Sequence, residues 1–306
     1  MIAMLVLVNG LPLFAKQIVN DMNSFQSEHK FVFCNTYYSR FDKLKFFLLL
    51  PFAGMCISVN GVTDNSSALN WVIRLRKKLM LLWSGTDVLL AIERQQKQTI
   101  SRKYIDYACN ATDSNLLSEE LLQLNIQHVH TYFKWLPVES LKQQSYASIQ
   151  VLSYVAKGKE DFYGWQTIRQ AAIDFPSLKF ILVGTDGASL QLPENVTCLG
   201  WIDKDRLTTL YQQCAIFLRL PQHDGFSLSV LEALAYGAEV IWTTPMPEYV
   251  MHWKEGKSFN PLMEKAIENI KSRQLHSDLE RQLAIGKQFN KQTVLNGFLQ
   301  TINTVG

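Results

Sequence analysis

Residues 223–241 read His-Asp-Gly-Phe-Ser-Leu-Ser-Val-Leu-Glu-Ala-Leu-Ala-Tyr-Gly-Ala-Glu-Val-Ile. A polar turn containing Gly225 runs straight into an apolar helix, which stops at Tyr236-Gly237 before a new strand begins. Gly237 stands where a helix C-terminus favours a left-handed residue. The helix carries a single acid, Glu232, eight positions after the turn acid Asp224. A turn whose amides open a helix suits an anion, and an acid one to two turns further along can reach a neighbouring hydroxyl. A nucleotide diphosphate with its ribose diol matches both features.

Outward from this unit, short apolar runs alternate with segments of helical period, the pattern of parallel sheets covered by helices. In the second half, strands are predicted at 149–155, 179–183, 196–199, 215–219 and 239–243. Helices are predicted at 165–172, 204–213 and 228–236, with Gly184 and Gly200 closing strands as turn residues. The first half gives strands at 3–8, 31–35, 55–59, 78–83, 104–109 and 127–130, and helices at 12–25, 44–50, 67–76 and 115–124. Residues 136–147 hold a proline and little periodicity, which marks a linker between domains at 1–140 and 148–306. The end of the chain, 261–304, is helical without strand company. The expected class is α/β.

A chain of 306 residues can build two cores. With 47% hydrophobic and 19% charged residues it reads as a soluble globular protein. A net charge of +3 is too small for a nucleic-acid partner, which calls for a dense basic stripe. The whole excess lies in residues 1–140, where 14 Lys/Arg face 11 Asp/Glu. Five scattered cysteines, with no Cys-x-x-Cys pair, argue against a disulfide framework or a zinc knuckle and suit a reducing cytoplasm. The apolar opening lacks a basic leader and is broken by Asn9, Gly10 and Pro12, as a buried strand would be. No run approaches the ~18–20 apolar residues of a membrane span. The histidines form no metal-spaced pair.

On the 223–241 motif, the second half resembles the C-terminal half of the retaining GT-B glycosyltransferases grouped as family 4. Members of that family carry a Glu, seven residues and a second Glu, around a Gly-Phe turn and a Glu-Ala helix. Here the pattern is Asp224-Gly225-Phe226-Ser227 through Glu232-Ala233-Leu234-Ala235. The Lys157-Gly158 turn, the strand ending Leu182-Val183-Gly184 and the Val196 to Ile202 segment stand in the family's order. Two departures are visible. Asp224 replaces the first Glu, and no arginine stands near Leu152-Ser153-Tyr154, where many members have one.

The resemblance implies two Rossmann-like doubly wound parallel-sheet domains facing a cleft, with the last helices crossing back to the first domain. It implies transfer of a sugar, with retention, from a UDP- or GDP-linked donor to a glycan or polyprenyl-linked acceptor. Surface polysaccharide or glycoconjugate synthesis would be the setting. Neither a cofactor nor a metal is expected, because fixed cations and helix amides can stabilise the leaving diphosphate. The implied location is the cytoplasm, with peripheral contact at the inner membrane face. For that contact the sequence offers residues 71–78, which mix Trp71, Arg74, Arg76, Lys77 and Lys78, together with the apolar run 46–50. A solvated basic helix end is the plainer reading.

Each residue role has a plainer alternative. Glu232 would accept hydrogen bonds from both ribose hydroxyls, or be a surface acid; its neighbours Leu231, Ala233, Leu234 and Ala235 argue for burial with a partner. Gly225, Phe226, Ser227 and Leu228 would offer amides to the phosphates, with Ser227 also suited to cap the helix. Asp224, by resemblance, would hold hydroxyls of the transferred sugar; alternatively it forms the turn before glycine. Lys157 and Lys159 would neutralise the diphosphate or simply be solvated. Arg219, at a strand end directly before the motif, would bind phosphate or a carboxylate. Gly10 would let backbone approach a ligand after the first strand, or merely turn the chain. Asp87, at the end of another strand, would orient acceptor or sugar, or cap the next segment. Two rival functions remain: another GT-B activity such as an epimerase or phosphorylase, and a non-catalytic nucleotide-sugar-binding partner or sensor.

Overall fold

The computed structural model describes residues 4–10, 12–26, 28–136, 149–246, 248–272 and 275–305. The expected linker, apart from Leu136, lies outside them. The chain divides into two compact units, Met1–Trp135 with Lys291–Gly306, and Leu136–Asn290.

The first unit is built on strands β1 (Met4–Gly10), β2 (His29–Cys34), β3 (Ala53–Val59), β4 (Lys78–Trp83), β5 (Cys109–Thr112) and β6 (His128–His130). All pair in parallel, in the order β2-β1-β3-β4-β5-β6. Helices α1 (Pro12–Phe25), α2 (Arg40–Leu49), α3 (Ser67–Arg74), α4 (Thr86–Gln96) and α5 (Asn115–Gln123) connect them. The apolar runs are continuous because both faces are covered. Along β4, Leu79, Leu81 and Trp83 enter one core while Met80 and Leu82 enter the other. Burying each such leucine contributes about 1.5–3 kcal/mol.

Three local expectations need correction. Residues 104–108 form turns, and β5 starts at Cys109. The buried Tyr104 hydroxyl accepts from the Ser66 amide at 2.8 Å and donates to Asn70 Oδ1 at 2.8 Å, which holds it as a loop anchor. Helix α2 begins four residues before the expected 44, because Ser39 caps it by accepting from the Asp42 amide at 3.1 Å. Helix α4 was not expected at all.

The second unit carries β7 (Gln150–Tyr154), β8 (Lys179–Val183), β9 (Val196–Cys198), β10 (Ile216–Arg219), β11 (Glu239–Trp242) and β12 (Met251–His252). Its helices are α6 (Trp165–Asp174), α7 (Lys204–Gln213), α8 (Leu228–Ala235), α9 (Asn260–Lys271) and α10 (Leu275–Phe289). The last helix, α11 (Lys291–Val305), packs Val294, Leu295, Phe298 and Ile302 into the first unit's core. The second sheet is also parallel, in the order β12-β11-β10-β7-β8-β9. The chain therefore builds outward from β7 in one direction, then returns to its other side with β10. The gap beyond the ends of β7 and β10 is a topological switch point, where open parallel sheets bind ligands. The first unit has its own between β1 and β3. Among the described residues, no helix is long and apolar enough to cross a membrane.

Candidate functional site

The parallel register sets the core of the site. It places Arg219, the last residue of β10, opposite Trp242 of β11 and, through the Leu218–Ser153 pair, beside Tyr154 of β7. Arg219 Nε donates to Asp224 Oδ2 at 2.8 Å, and Trp242 Nε1 donates to the same oxygen at 3.2 Å. The guanidinium lies 5.6 Å from the Tyr154 ring and 5.3 Å from the Tyr163 ring. Those two rings meet edge to face at 5.1 Å. The exposed Trp201 ring stands 6.3 Å from Tyr154. Aromatic faces attract a desolvated cation by about 2 kcal/mol. Arg219 thus packs against two adjoining rings and is bridged to the first motif acid.

The motif turn follows. Thr244 Oγ1 donates to the Asp224 carbonyl at 3.1 Å, and Phe226 packs on Phe289 at 5.2 Å. Gly225, Phe226 and Ser227 are buried. Ser227 occupies the position before α8 in extended conformation, yet its side chain makes no capping bond and meets Ser229 Oγ at 2.9 Å instead. The opening amides of α8 thus lack the usual side-chain cap. Gly237, at φ +80°, ends the helix in the left-handed region, as expected.

Glu232 is half-buried on α8. Burial raises its carboxyl to about 6, against the pull of Lys204 and of a hydrogen bond from the Tyr211 hydroxyl. Tyr211 is itself buried and stacked on Tyr236, ring to ring at 6.2 Å. Burial and the nearby Glu232 charge hold its hydroxyl well above the ordinary phenol range. Helix α7 therefore supplies both Lys204 and Tyr211 to the second motif acid. The Asp-x-Asp spacing at Asp203-Lys204-Asp205 opens this helix, where Asp203 caps by accepting from the Arg206 amide at 2.8 Å.

The remaining candidates are spread more widely. Lys157 is exposed and paired with Asp186 at 2.6 Å, while its amide donates to the Gly184 carbonyl. Lys159 is exposed in the same turn. Gly158, at φ +78°, has open space where a Cβ would be.

In the first unit, Gly10 sits at φ +128°, and a Cβ there would lie 2.5 Å from the Val59 carbonyl oxygen. Glycine at that position is demanded by the close approach of β1 and β3. The expectation that Asp87 orients a ligand meets a different geometry. Its buried carboxylate accepts from the amides of Gly61 at 2.6 Å, Gly85 at 2.8 Å, Ser84 at 3.1 Å and Val88 at 3.1 Å. Burial raises this carboxyl and the four amides pull it back. Asp87 fastens the ends of β3 and β4 to α4.

Sequence reasoning missed several residues. Tyr154, Tyr163 and Trp242 surround the Arg219–Asp224 pair, and Tyr211 and Lys204 serve Glu232. Only the register and the strand order bring them together; an aromatic at the end of a buried strand, as at Tyr154, was the available signal. The first unit also hides an ion pair, Lys134 Nζ to Asp113 Oδ2 at 3.2 Å. Burial pushes the Asp113 carboxyl up to about 6 despite the lysine.

Residues 163–272 match the family described as Glycosyl transferases group 1. The motif at 223–241 falls within that stretch, which supports the likeness to glycosyltransferases read from it. No curated protein is matched by sequence. Among solved structures, a glycosyltransferase from Rickettsia africae is similar over 100% of this chain and 99% of its own, with TM-score 0.71 and 10% identity. Sucrose-phosphate synthase from Thermosynechococcus elongatus is similar over 99% of both chains, with TM-score 0.68 and 13% identity. The pneumococcal O-GlcNAc transferase GtfA, solved with UDP and GlcNAc, matches 82% of this chain with TM-score 0.55 and 12% identity. The present chain spans only 56% of that protein's length. At these identities the likeness is one of fold. The chain has the α/β GT-B fold, with two Rossmann-like parallel sheets.

Proposed function

We propose that the chain is a retaining glycosyltransferase that moves a sugar from a UDP- or GDP-linked donor onto a glycan or polyprenyl-linked acceptor. Under this reading it works in the cytoplasm, in polysaccharide or glycoconjugate synthesis, without a metal or other cofactor. The observation that carries the proposal is the motif's position. Its turn, a helix start without a side-chain cap and a half-buried carboxylate follow β10 at the switch point, within the residues that match the group 1 family.

In this reading the second unit holds the donor and the first takes the acceptor. Glu232 accepts both ribose hydroxyls, with the Tyr211 hydroxyl beside it and the Lys204 charge nearby. The amides of Gly225 to Leu228 meet the phosphates, and Lys157 and Lys159 add charge as the diphosphate departs. Arg219 would do the same from beside its two rings. Asp224 has one oxygen engaged by Arg219 and Trp242, so sugar hydroxyls would meet the other. Catalysis then rests on stabilising the leaving diphosphate while the acceptor hydroxyl attacks from the same face.

Thermal shift and titration calorimetry with UDP, GDP and their sugar conjugates test the reading, followed by NMR of the anomeric configuration of any product. At a hundredfold excess over its dissociation constant, the right nucleotide stabilises the fold by about 2.7 kcal/mol. Glu232→Ala removes charge-assisted bonds and weakens binding roughly hundredfold. If no nucleoside diphosphate binds at millimolar concentration, the proposal is wrong.

A second reading, a non-catalytic nucleotide-sugar-binding partner or sensor, draws on the Arg219–Asp224 pair, in which the two charges neutralise each other. Tight donor binding with neither hydrolysis nor transfer across candidate acceptors would select it.

A further inference from the structure

Asn9 on β1 and Ser58 on β3 are register partners near the carboxyl ends of two neighbouring strands, at the switch point of the first unit. Each stands two residues beyond a side chain of one core, Leu7 and Cys56, so both point to that face of the sheet. Both are 1% exposed. Asn9 Oδ1 accepts from the Thr36 amide at 3.0 Å and from the Thr36 hydroxyl at 3.1 Å. A backbone amide can only donate, so this oxygen is fixed and Nδ2 is turned elsewhere. Among the described residues, neither Asn9 Nδ2 nor Ser58 Oγ makes a hydrogen bond. Buried polar groups are as a rule paired, because leaving one unpaired costs free energy. Thr36 explains the oxygen of Asn9, but nothing in the fold explains its nitrogen or the Ser58 hydroxyl.

The rim of this corner is aromatic. Tyr37 and Tyr38 follow Thr36, and their amides donate to Asn35 Oδ1 at 3.2 and 3.1 Å, which fixes the turn. Their rings are 48% and 84% exposed, with centroids 6.4 Å apart. Tyr37 turns its hydroxyl inward. Burial raises this phenol above its ordinary value, the approach of Ser58 draws it back, and the Asp64 charge raises it again. Two cations close by are engaged, Arg94 by Asp64 at 2.9 Å and Lys45 by the Phe33 carbonyl at 3.0 Å. Uncharged donors beneath exposed rings suit a neutral, polyhydroxylated ligand. One sugar hydroxyl can accept from Asn9 Nδ2 and donate to Ser58 Oγ, while the apolar face of the pyranose lies against tyrosine. A phosphate, by contrast, would be set against the Asp64 carboxylate.

We propose that this corner of the first unit is a subsite for a neutral sugar residue, one of whose hydroxyls bridges Asn9 Nδ2 and Ser58 Oγ. Tyr37, half exposed, turns outward to admit it and packs with Tyr38 against its ring. Naming that sugar the acceptor rests on the proposed transfer, whereas the subsite itself does not. On that reading the acceptor presents an unphosphorylated sugar.

Saturation-transfer NMR on the full chain tests it, with methyl hexosides, methyl N-acetylhexosaminides and hexose 6-phosphates at millimolar concentration. At least one neutral glycoside should bind, and the phosphates should not. Ser58→Ala removes a hydroxyl that makes no hydrogen bond in the fold. It should not lower the melting temperature, yet it should weaken glycoside binding about fivefold. Asn9→Asp keeps an oxygen for Thr36 but exchanges the donor for an acceptor, and should abolish binding. Should that variant unfold, Ser58→Ala alone decides. If a bridging water is all that these two groups serve, no glycoside binds and the proposal is overturned. Phosphates that bind as well as the glycosides, or wild-type affinity in Ser58→Ala, would overturn it too. The sugar-transfer reading survives each of these results provided that a nucleoside diphosphate binds. Glycoside binding without any nucleotide binding would keep the subsite and remove the transfer.

Discussion

Asp87 and Asp224 occupy comparable places in the two units. Each follows a parallel strand, β4 in one case and β10 in the other, and stands at or before the start of the next helix. Their surroundings differ in kind. Asp87 is answered entirely by backbone, through four amides drawn from both sides of its own turn and from Gly61 beyond β3. Asp224 is answered by side chains, Arg219 and Trp242, with two tyrosine rings covering the arginine. Backbone amides cannot leave without unfolding the turn, so an acid satisfied by them is part of the scaffold. Side chains at a strand end can exchange one partner for another, and an acid held by them can take part in binding.

The largest expected effect comes from removing the scaffold acid. Asp87→Ala leaves four amides without their acceptor in a buried turn and should destabilise the chain by about 4 kcal/mol. Urea unfolding at neutral pH measures this. The folded fraction should keep its affinity for a nucleoside diphosphate, because Asp87 belongs to the other unit. An affinity loss of tenfold or more in a variant that remains folded would break the contrast between the two aspartates.

Next in size is the Arg219–Asp224 pair. Arg219→Ala leaves a mostly buried carboxylate with only Trp242 as a donor from its former pair, and should cost about 3 kcal/mol. Arg219→Lys should recover part of this, since lysine keeps the charge but loses the guanidinium's contacts with the Tyr154 and Tyr163 rings. The double variant with Asp224→Ala sharpens the point. A double-mutant cycle on unfolding free energies should show coupling well above 0.5 kcal/mol. Additive losses would mean that the two side chains are neighbours without a working interaction.

What the sequence disclosed depends on how local the information is. Strands β4 and β8 and helices α1 and α7 lie where hydrophobic period and turn residues predict, because each is specified within its own segment. Residues 104–108 were misread because aromatic and β-branched residues look like a strand, while the Tyr104 hydroxyl finds its partners around Asn65, Ser66 and Asn70. The same limit governs the sites. The motif at 223–241 was legible because its acid, turn and helix start are contiguous. The ring cluster was not, because Tyr154, Tyr163 and Trp242 converge on Arg219 only through the strand order β7-β10-β11. Asp87 looked like a ligand group for a related reason. Gly61, which gives its shortest hydrogen bond, lies 26 positions away in sequence.

The smallest effect concerns Glu232, a half-buried carboxylate that has one phenol beside it in place of four amides or an arginine. Burial raises its carboxyl from 4.5 to about 6, with Lys204 and the Tyr211 hydroxyl pulling the other way. The folded chain therefore holds this proton more tightly than the unfolded chain does. Its contribution to stability is complete below about pH 4.5 and is lost as pH rises through about 6, amounting to roughly 2 kcal/mol at most. Glu232→Gln should flatten that part of the stability profile. Binding should run in the opposite direction. A ribose diol donates to the ionised carboxylate, so wild-type affinity for a nucleotide sugar should climb between about pH 5 and 7, and the glutamine variant should bind more weakly with a shallower slope. Taking the difference between the two proteins removes the ligand's own phosphate titration. Tyr211→Phe deletes the hydrogen bond that favours the ionised form, so its binding curve should shift to higher pH while the protein stays folded. A curve that does not move would leave the Tyr211 hydroxyl as packing alone and detach α7 from the site.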